Sequence, residues 1–373
     1  MAASYTSRFH GSVIVTSGGE RHLLSNEMFV DAGQDGEVFR VGDMAVKVYS
    51  ENPISRQKRE KLMTLCAQRG RFHRCVVAPV EMVRLEGHSS DKAAGFTMEF
   101  LPFARQLDAI RWQPDMSVEE EKIFDRTVAA ILCQLCEALQ SLHANRVFVC
   151  DLKPLNVLLC ELRPYIVDFD SCALPGYAGE SFTVEYLDPR IRDSVPEAMG
   201  ANEQFSAESD WWALGVIAFK LFMGVSPWAG IHPDFRRQPH IYRSFNYSAV
   251  LFDPRVRPPS VGLRDAAWLD ARPKLRRYFQ GIFSADPSAR VPIAPALDIY
   301  FPRGEESDGA ASRAAAAVME RLAIDPRELE FTRSIRDEIV RRSPRESEER
   351  EEVLVRFLDG MFGADVEQEG EGP

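Results

Sequence analysis

The sequence has no long apolar run. No stretch approaches the roughly 20 uninterrupted apolar residues that a membrane span needs, and no charged-then-apolar leader opens the chain, so the expectation is a cytoplasmic protein with no membrane partner. It is also short of positive charge. With 45 Lys and Arg against 56 Asp and Glu, the formal net charge is −11, which argues against a general surface for nucleic acid or anionic lipid and leaves room only for a local basic groove. Cysteine is sparse and odd in number: the seven, at 66, 75, 133, 136, 150, 160 and 172, are scattered through apolar contexts. That fits free thiols in a reducing compartment better than a disulfide framework. Cys133 and Cys136 have CxxC spacing, but they lie inside the helical pattern AAILCQLCEALQSLH with no second pair at metal-site distance, so they read as buried helix residues. There is no internal repeat.

What is present suits a globular protein: 373 residues, 45% hydrophobic and 10% aromatic, are enough for one large core or two smaller ones. SVIVTSGGERHLL, from Ser12, reads as a hairpin turning at Gly18-Gly19, and EVFRV and AVKVY read as two further strands turning at Gly42-Asp43. Residues 55–69 have helical composition, and VVAPVEMVRL and GFTMEFL return to strand. After LPFARQL the chain becomes helical: EEEKIFDRTVAAILCQLCEALQSLHANR is long and amphipathic, SAESDWWALGVIAFKLFMG is apolar, and residues 266–300 are helical with proline breaks. The fold class is therefore α+β. Its divisions are a sheet-rich first part over residues 1–101, a helical second part over 102–301, and a third region, 302–373, that opens with the linker RGEESDGA and closes on the acidic tail VEQEGEGP. Within the third region, Asp325-Pro326-Arg327-Glu328 and Ser343-Pro344-Arg345-Glu346 are helix starts followed by apolar stripes, which either dock on the main domain or bind a partner.

Transfer of phosphate from a nucleotide needs cover for the phosphates, a cation on them, oxygens for a metal, and a carboxylate beside the accepting hydroxyl. Gly33-Gln34-Asp35-Gly36-Glu37-Val38 offers two glycines before a β-run, where backbone N–H groups can approach phosphate oxygens; a plain hairpin turn is the alternative. Lys47 sits among valines in Ala45-Val46-Lys47-Val48, an expensive place for an ammonium without an anionic partner. Glu60 in the following helix is the expected partner and Glu51 the poorer alternative. VCDLKPLNVLL then supplies Asp151, Lys153 and Asn156, and seventeen positions after Asp151 the strand YIVDFDS ends in Asp168. In these places Asp151 would hold the acceptor hydroxyl, Lys153 would neutralise the moving phosphoryl group, and Asn156 and Asp168 would offer oxygens to the metal.

On AVK, DLKPLNVLL, VDFD and SDWWALGV the sequence resembles the protein-kinase superfamily over roughly residues 28–300, and D-x-K in the loop is the pattern of its serine/threonine members. The resemblance implies a two-lobed fold: a sheet-rich N-lobe with one helix, a helical C-lobe, and ATP with Mg2+ (or Mn2+) between them. It places Gly33, Gly36, Val38, Ala45, Lys47, Met98, Glu99, Leu101 and Leu158 against the nucleotide, with Met98 as gatekeeper and residues 99–101 as the hinge. Asp210 would hold the catalytic loop, and Arg290 matches the late kinase arginine. The short spacing from GQDGEVF to Lys47 and the ending at Ser171 also resemble bacterial kinases of stress and tellurium-resistance operons. That narrower likeness implies bacterial signalling and, as partners beside a protein substrate, a cognate phosphatase or a von Willebrand A-type protein.

The departures concern regulation. Asp31 stands at the first glycine position, and Val149 and Cys150 replace the His-Arg before the catalytic aspartate. Asp170 occupies the glycine of Asp-Phe-Gly, and Leu187-Asp188-Pro189-Arg190 replaces Ala-Pro-Glu, which puts the ion pair of Arg290 in doubt. Without the arginine that receives an activation-loop phosphate, activity is expected not to depend on phosphorylation there. A nucleotide-binding scaffold or pseudokinase signalling through the C-terminal helices is the main alternative. A small-molecule kinase is a third, disfavoured by D-x-K-x-x-N together with D-x-W-x-L-G.

Overall fold

A computed structural model describes residues 6–33, 35–89, 92–192, 205–235, 251–260, 262–302 and 317. The helix starts expected at 325 and 343 and the acidic tail lie outside the described residues. The chain divides into two compact units, one of residues 1–107, 126–214 and 287–303, the other of residues 108–125, 215–286 and 304–373.

In that first unit the hairpin β1 (Val13–Thr16) and β2 (Arg21–Leu23) is followed by β3 (Phe29–Ala32), β4 (Gly36–Val41) and β5 (Met44–Tyr49). Helix α1 (Arg56–Gln68) comes next, then β6 (Glu81–Leu85) and β7 (Gly95–Glu99). The strands form one antiparallel sheet in the order β2-β1-β6-β7-β5-β4-β3. One face of it closes over Phe9, Ile14, Leu24, Phe39, Val46, Val48, Val83 and Ala94. The alternation of EVFRV and AVKVY produces this, since successive side chains leave opposite faces of a strand. Two glycines are required by the closeness of the strands: a Cβ on Gly36 would lie 2.3 Å from the carbonyl oxygen of Val48, and one on Gly95 would lie 1.9 Å from that of Lys47.

Beyond β8 (Arg105–Gln106), the long helix α2 (Val118–Ala144) starts at a capping box: the backbone N–H of Ser117 donates to Glu120 Oε2 at 2.9 Å, and Glu120 N–H returns to Ser117 Oγ at 3.3 Å. Strands β9 (Val157–Cys160) and β10 (Arg163–Ile166) form a small sheet with β8. The one-turn α3 (Pro189–Arg192) precedes α4 (Ala207–Met223), whose residues from Ser209 to Phe219 are all buried. In the second unit are α5 (Ala266–Asp270) and α6 (Pro273–Ile282), with the Arg264 guanidinium 2.7 Å from Asp125 and over the Trp268 ring. A last helix, α7 (Ala294–Tyr300), returns to the first unit. None of the seven cysteines is in a disulfide, and Cys133 and Cys136 are buried within α2 as expected. Among the described residues no helix is long and apolar enough to cross a membrane.

Candidate active site

The centre is the loop between α2 and β9. Asp151 is buried, and every oxygen of its carboxylate is engaged. Oδ2 accepts from Lys153 Nζ at 2.8 Å and from Asn156 Nδ2 at 3.2 Å, and Oδ1 accepts from the Thr183 hydroxyl at 2.7 Å. Asn156 Nδ2 also donates to the Asp151 carbonyl at 2.9 Å, which folds D-x-K-x-x-N into one turn. Lys153 Nζ makes a second bond, 2.9 Å, to the Thr183 oxygen. The three residues of the motif therefore converge, with Thr183 as a fourth member that sequence reasoning missed. SFTV carries no spacing that ties a threonine to a carboxylate 32 residues earlier; only the return of the chain brings them together.

Asp210, within the first turn of α4, holds this loop by its backbone: its carboxylate accepts from Val149 N–H at 3.0 Å and Cys150 N–H at 3.3 Å, and His143 Nε2 lies 2.9 Å away. The loop needs that restraint because Cys150 has φ of 67°, left-handed backbone that a non-glycine residue enters only when its surroundings dictate it. Cys150 itself packs with Phe148 and Phe182 onto Ala173, Leu187, Ile191 and Phe205. Burial pushes its thiol well above the ordinary range.

The family model for the protein kinase domain matches residues 29–301. The chain belongs to the protein kinase family. Kinase suppressor of Ras A of Caenorhabditis elegans is 26% identical over 224 residues, 55% of this chain and 28% of that protein. MAP kinase-activated protein kinase 2 of Drosophila melanogaster is 26% identical over 180 residues, 45% and 44% of the two chains. The liver/testis phosphorylase b kinase gamma catalytic chain of Mus musculus is 30% identical over 202 residues, 52% and 45%. The chain spans less than half the length of each of these relatives. The α+β architecture is that of a kinase domain, with a sheet-rich lobe and a helical one. Nothing among these relatives supports the narrower bacterial likeness, nor with it the phosphatase or von Willebrand A-type partner.

One expectation for this kinase is corrected. Glu60 does not meet Lys47; it is half-exposed at the surface and pairs with Arg56 at 2.8 Å, one turn away. The Lys47 ammonium instead lies 2.5 Å from Asp168 and 2.9 Å from Asp170. The reason is the phase of α1: its inward face carries the half-buried Lys58 with the buried Lys61, Leu62 and Leu65, so the helix turns cations, not Glu60, toward the site. Asp170 takes up this charge. Fully buried, it accepts from Lys47 Nζ, from the Tyr49 hydroxyl at 2.5 Å, and pairs with Lys58 at 3.2 Å. Burial alone would raise its pKa, but Lys47 and Lys58 hold it well below the usual carboxylate range. Asp168, more exposed, is raised by burial and by its neighbour Asp170 against the pull of Lys47.

The pairing of Arg290 is the second correction. Its guanidinium lies 3.1 Å from Asp188 Oδ1, so the ion pair survives with an aspartate placed two residues before Arg190. Arg190 does not displace it but grips the other oxygen of the same carboxylate, with Nε at 2.9 Å.

The expected nucleotide-facing residues fall into place less tightly. Val38 pairs with Lys47 across β4 and β5, and Ala45 with Met98 across β5 and β7. Val38, Met98, Leu101 and Leu158 are half-buried, Ala45 is buried, and Glu99 is exposed. Gly33 has open space about it, whereas Gly36 is explained by its contact with β5 and needs no nucleotide to account for it. Asp31 is exposed, its carboxylate turned back to the N–H of Ala32. The backbone N–H of Val167, the residue before Asp168, donates to the Asn156 carbonyl at 2.9 Å. Among the described residues no three His, Cys, Asp or Glu side chains form a metal cage.

Proposed function

We propose that this chain is a serine/threonine protein kinase that transfers the γ-phosphate of ATP, with magnesium or manganese, to a protein hydroxyl. We propose also that it does so without phosphorylation of the segment after Ser171. The carrying observation is the Asp151 carboxylate, held by Lys153 and Asn156 while its other oxygen accepts from a threonine hydroxyl at 2.7 Å. A carboxylate that accepts one hydroxyl there can orient a substrate hydroxyl for attack and receive its proton. Lys153 sits beside the same oxygen atoms and offsets negative charge as it moves. Lys47 supplies the cation for phosphates, and Asp168 with Asn156 the oxygens for the ion. When bound, ATP would supply the phosphoryl group and a divalent ion held by Asp168 and Asn156 would offset its negative charge.

Two contacts support independence from phosphorylation. Cys150 and its apolar neighbours fill the place from which an arginine would reach a phosphate. Glu180 already ties the segment to α1, through Lys61 at 2.8 Å and through Lys58, so a built-in carboxylate does the work that an added phosphate does elsewhere. The working lobes are residues 1–101 and 102–301, followed by the extension 302–373, and the free cysteines fit a cytoplasmic site of action.

The test is transfer of labelled phosphate from ATP to the protein itself and to a generic basic protein, by wild type, Asp151→Asn and Asp168→Asn, each also after phosphatase treatment. Label on serine or threonine that both substitutions abolish and phosphatase treatment spares supports the whole reading. Nucleotide binding without transfer would replace it with the scaffold reading. Activity lost after phosphatase treatment would overturn the independence alone.

A further inference from the structure

In a protein kinase the strand lysine is set by an ion pair with a glutamate on the helix of the N-lobe. That glutamate has no counterpart on the inward face of α1, which presents the half-buried Lys58 and the buried Lys61. Lys47 is nevertheless almost wholly enclosed, at 7% exposure, and an ammonium so placed requires a fixed anion. Of the two carboxylates within reach, Asp168 is 38% exposed and is the one proposed above for the metal. Asp170, at 1%, has no access to solvent or metal and is gripped by Lys47, Lys58 and the Tyr49 hydroxyl. We infer that Asp170 is the positioning residue for Lys47, replacing the helix glutamate with a carboxylate from the segment that follows β10.

The polarity of the pair between helix and segment is thereby inverted: the helix gives cations and the segment gives carboxylates. Lys58 Nζ reaches both Asp170 and Glu180, and Lys61 reaches Glu180 and the Ala178 carbonyl at 3.2 Å. Lys47 and Lys58 meet at one carboxylate and stand 5.3 and 5.2 Å from the same Tyr49 ring centre, so the side chain at position 58 is within reach of Lys47. A glycine at 170, the usual residue, would leave Lys47 and Lys58 facing each other as like charges.

This inference rests on the kinase reading, and its geometry names its own rescue. Four proteins are compared: wild type, Asp170→Gly, Lys58→Glu, and the double variant Asp170→Gly/Lys58→Glu, which restores a glycine after Phe169 and places a carboxylate on the helix. The readouts are kcat and KM for ATP, the dissociation constant for nucleotide, and thermal unfolding; Asp170→Asn, which keeps the shape and the Tyr49 bond, covers the case in which glycine prevents folding. Asp170→Gly is expected to lower kcat/KM at least a hundredfold and weaken nucleotide binding about tenfold, with Asp170→Asn close behind. The double variant should recover at least tenfold over Asp170→Gly in both, although Lys58→Glu alone is harmful. Asp170 variants within threefold of wild type, or a double variant no better than Asp170→Gly, would overturn the inference. If the wild type binds nucleotide without turning it over, the kinase reading fails by itself, and recovery or non-recovery of nucleotide affinity in the double variant still decides the role of Asp170.

Discussion

Replacing Asp188 by alanine should be among the most destabilising single changes in the chain. The carboxylate has no solvent exposure and carries two guanidinium groups: Arg290 Nη2 at 3.1 Å on Oδ1, and Arg190 on Oδ2 through Nε at 2.9 Å and Nη2 at 2.5 Å. The two arginines are not equal. Arg190 is 36% exposed and can turn to water, whereas the Arg290 side chain is 2% exposed and lies 5.0 Å from the centre of the buried Trp212 ring. Asp188→Ala therefore leaves a buried cation without its carboxylate, a change that costs about 3–5 kcal/mol. At about 2–4 °C per kcal/mol for a unit of this size, the melting temperature should fall by roughly 6–20 °C. The charge argument makes a further demand. In Asp188→Ala/Arg290→Met the buried cation is gone as well, so the double variant should lose less than the sum of the two single losses by about 2 kcal/mol. Urea unfolding of the four proteins, followed by circular dichroism, measures both quantities. A loss under 1 kcal/mol for Asp188→Ala, or strict additivity, would refute the view that Asp188 and Arg290 form the ion pair that Ala-Pro-Glu and its arginine form elsewhere in the family.

Gly95→Ala puts a Cβ 1.9 Å from the carbonyl of Lys47, so β5 must shift; a loss of about 2 kcal/mol or more and weaker nucleotide binding are expected, and a variant as stable as wild type would show that the strand can give way cheaply. Thr183→Val removes the hydroxyl between Asp151 and Lys153, and a hydrogen bond to a charged group is worth about 1.5–3 kcal/mol, so kcat should fall roughly tenfold or more with folding intact; an unchanged kcat would exclude Thr183 from the site. Burial pushes Cys172 from 9.0 up to about 12, so the unfolded chain loses this proton first and stability must fall as pH rises from about 9 toward 12, by about 1.4 kcal/mol per pH unit. Melting curves between pH 8.5 and 10.5 should be flatter for Cys172→Ala, and parallel curves would count against it. For the same reason Cys66, pushed up to about 11, should react with iodoacetamide at pH 8 far more slowly in the native protein than after unfolding, as mass spectrometry of the labelled peptides would show.

Much of the site was legible because it is local. Asp151, Lys153 and Asn156 lie within six residues and close on one another through a single turn, so their spacing carries their geometry. The strands around Lys47 were legible for a related reason: a period of two in EVFRV and AVKVY leaves one way to bury Phe39, Val46 and Val48. The partner of Lys47 was not, because a glutamate in the following helix is chosen or rejected by the phase in which the helix packs, and α1 buries Lys61 where amphipathic logic expects an apolar residue. In the sequence Asp170 stood only as a departure at the glycine of Asp-Phe-Gly. Its role depends on two lysines and a tyrosine more than 110 residues away in sequence.

The amino-acid sequence by itself determined the order of sheet and helix, the catalytic turn and the family, since each rests on contacts between residues close along the chain or on periodicities that a strand or helix must obey. Which charges meet was decided only when the chain closed. Asp188 with Arg290, Asp170 with Lys47 and Thr183 with Asp151 join segments 32 to 123 residues apart, and a buried ion takes whichever opposite charge the packing brings within about 3 Å, whatever the linear pattern suggests.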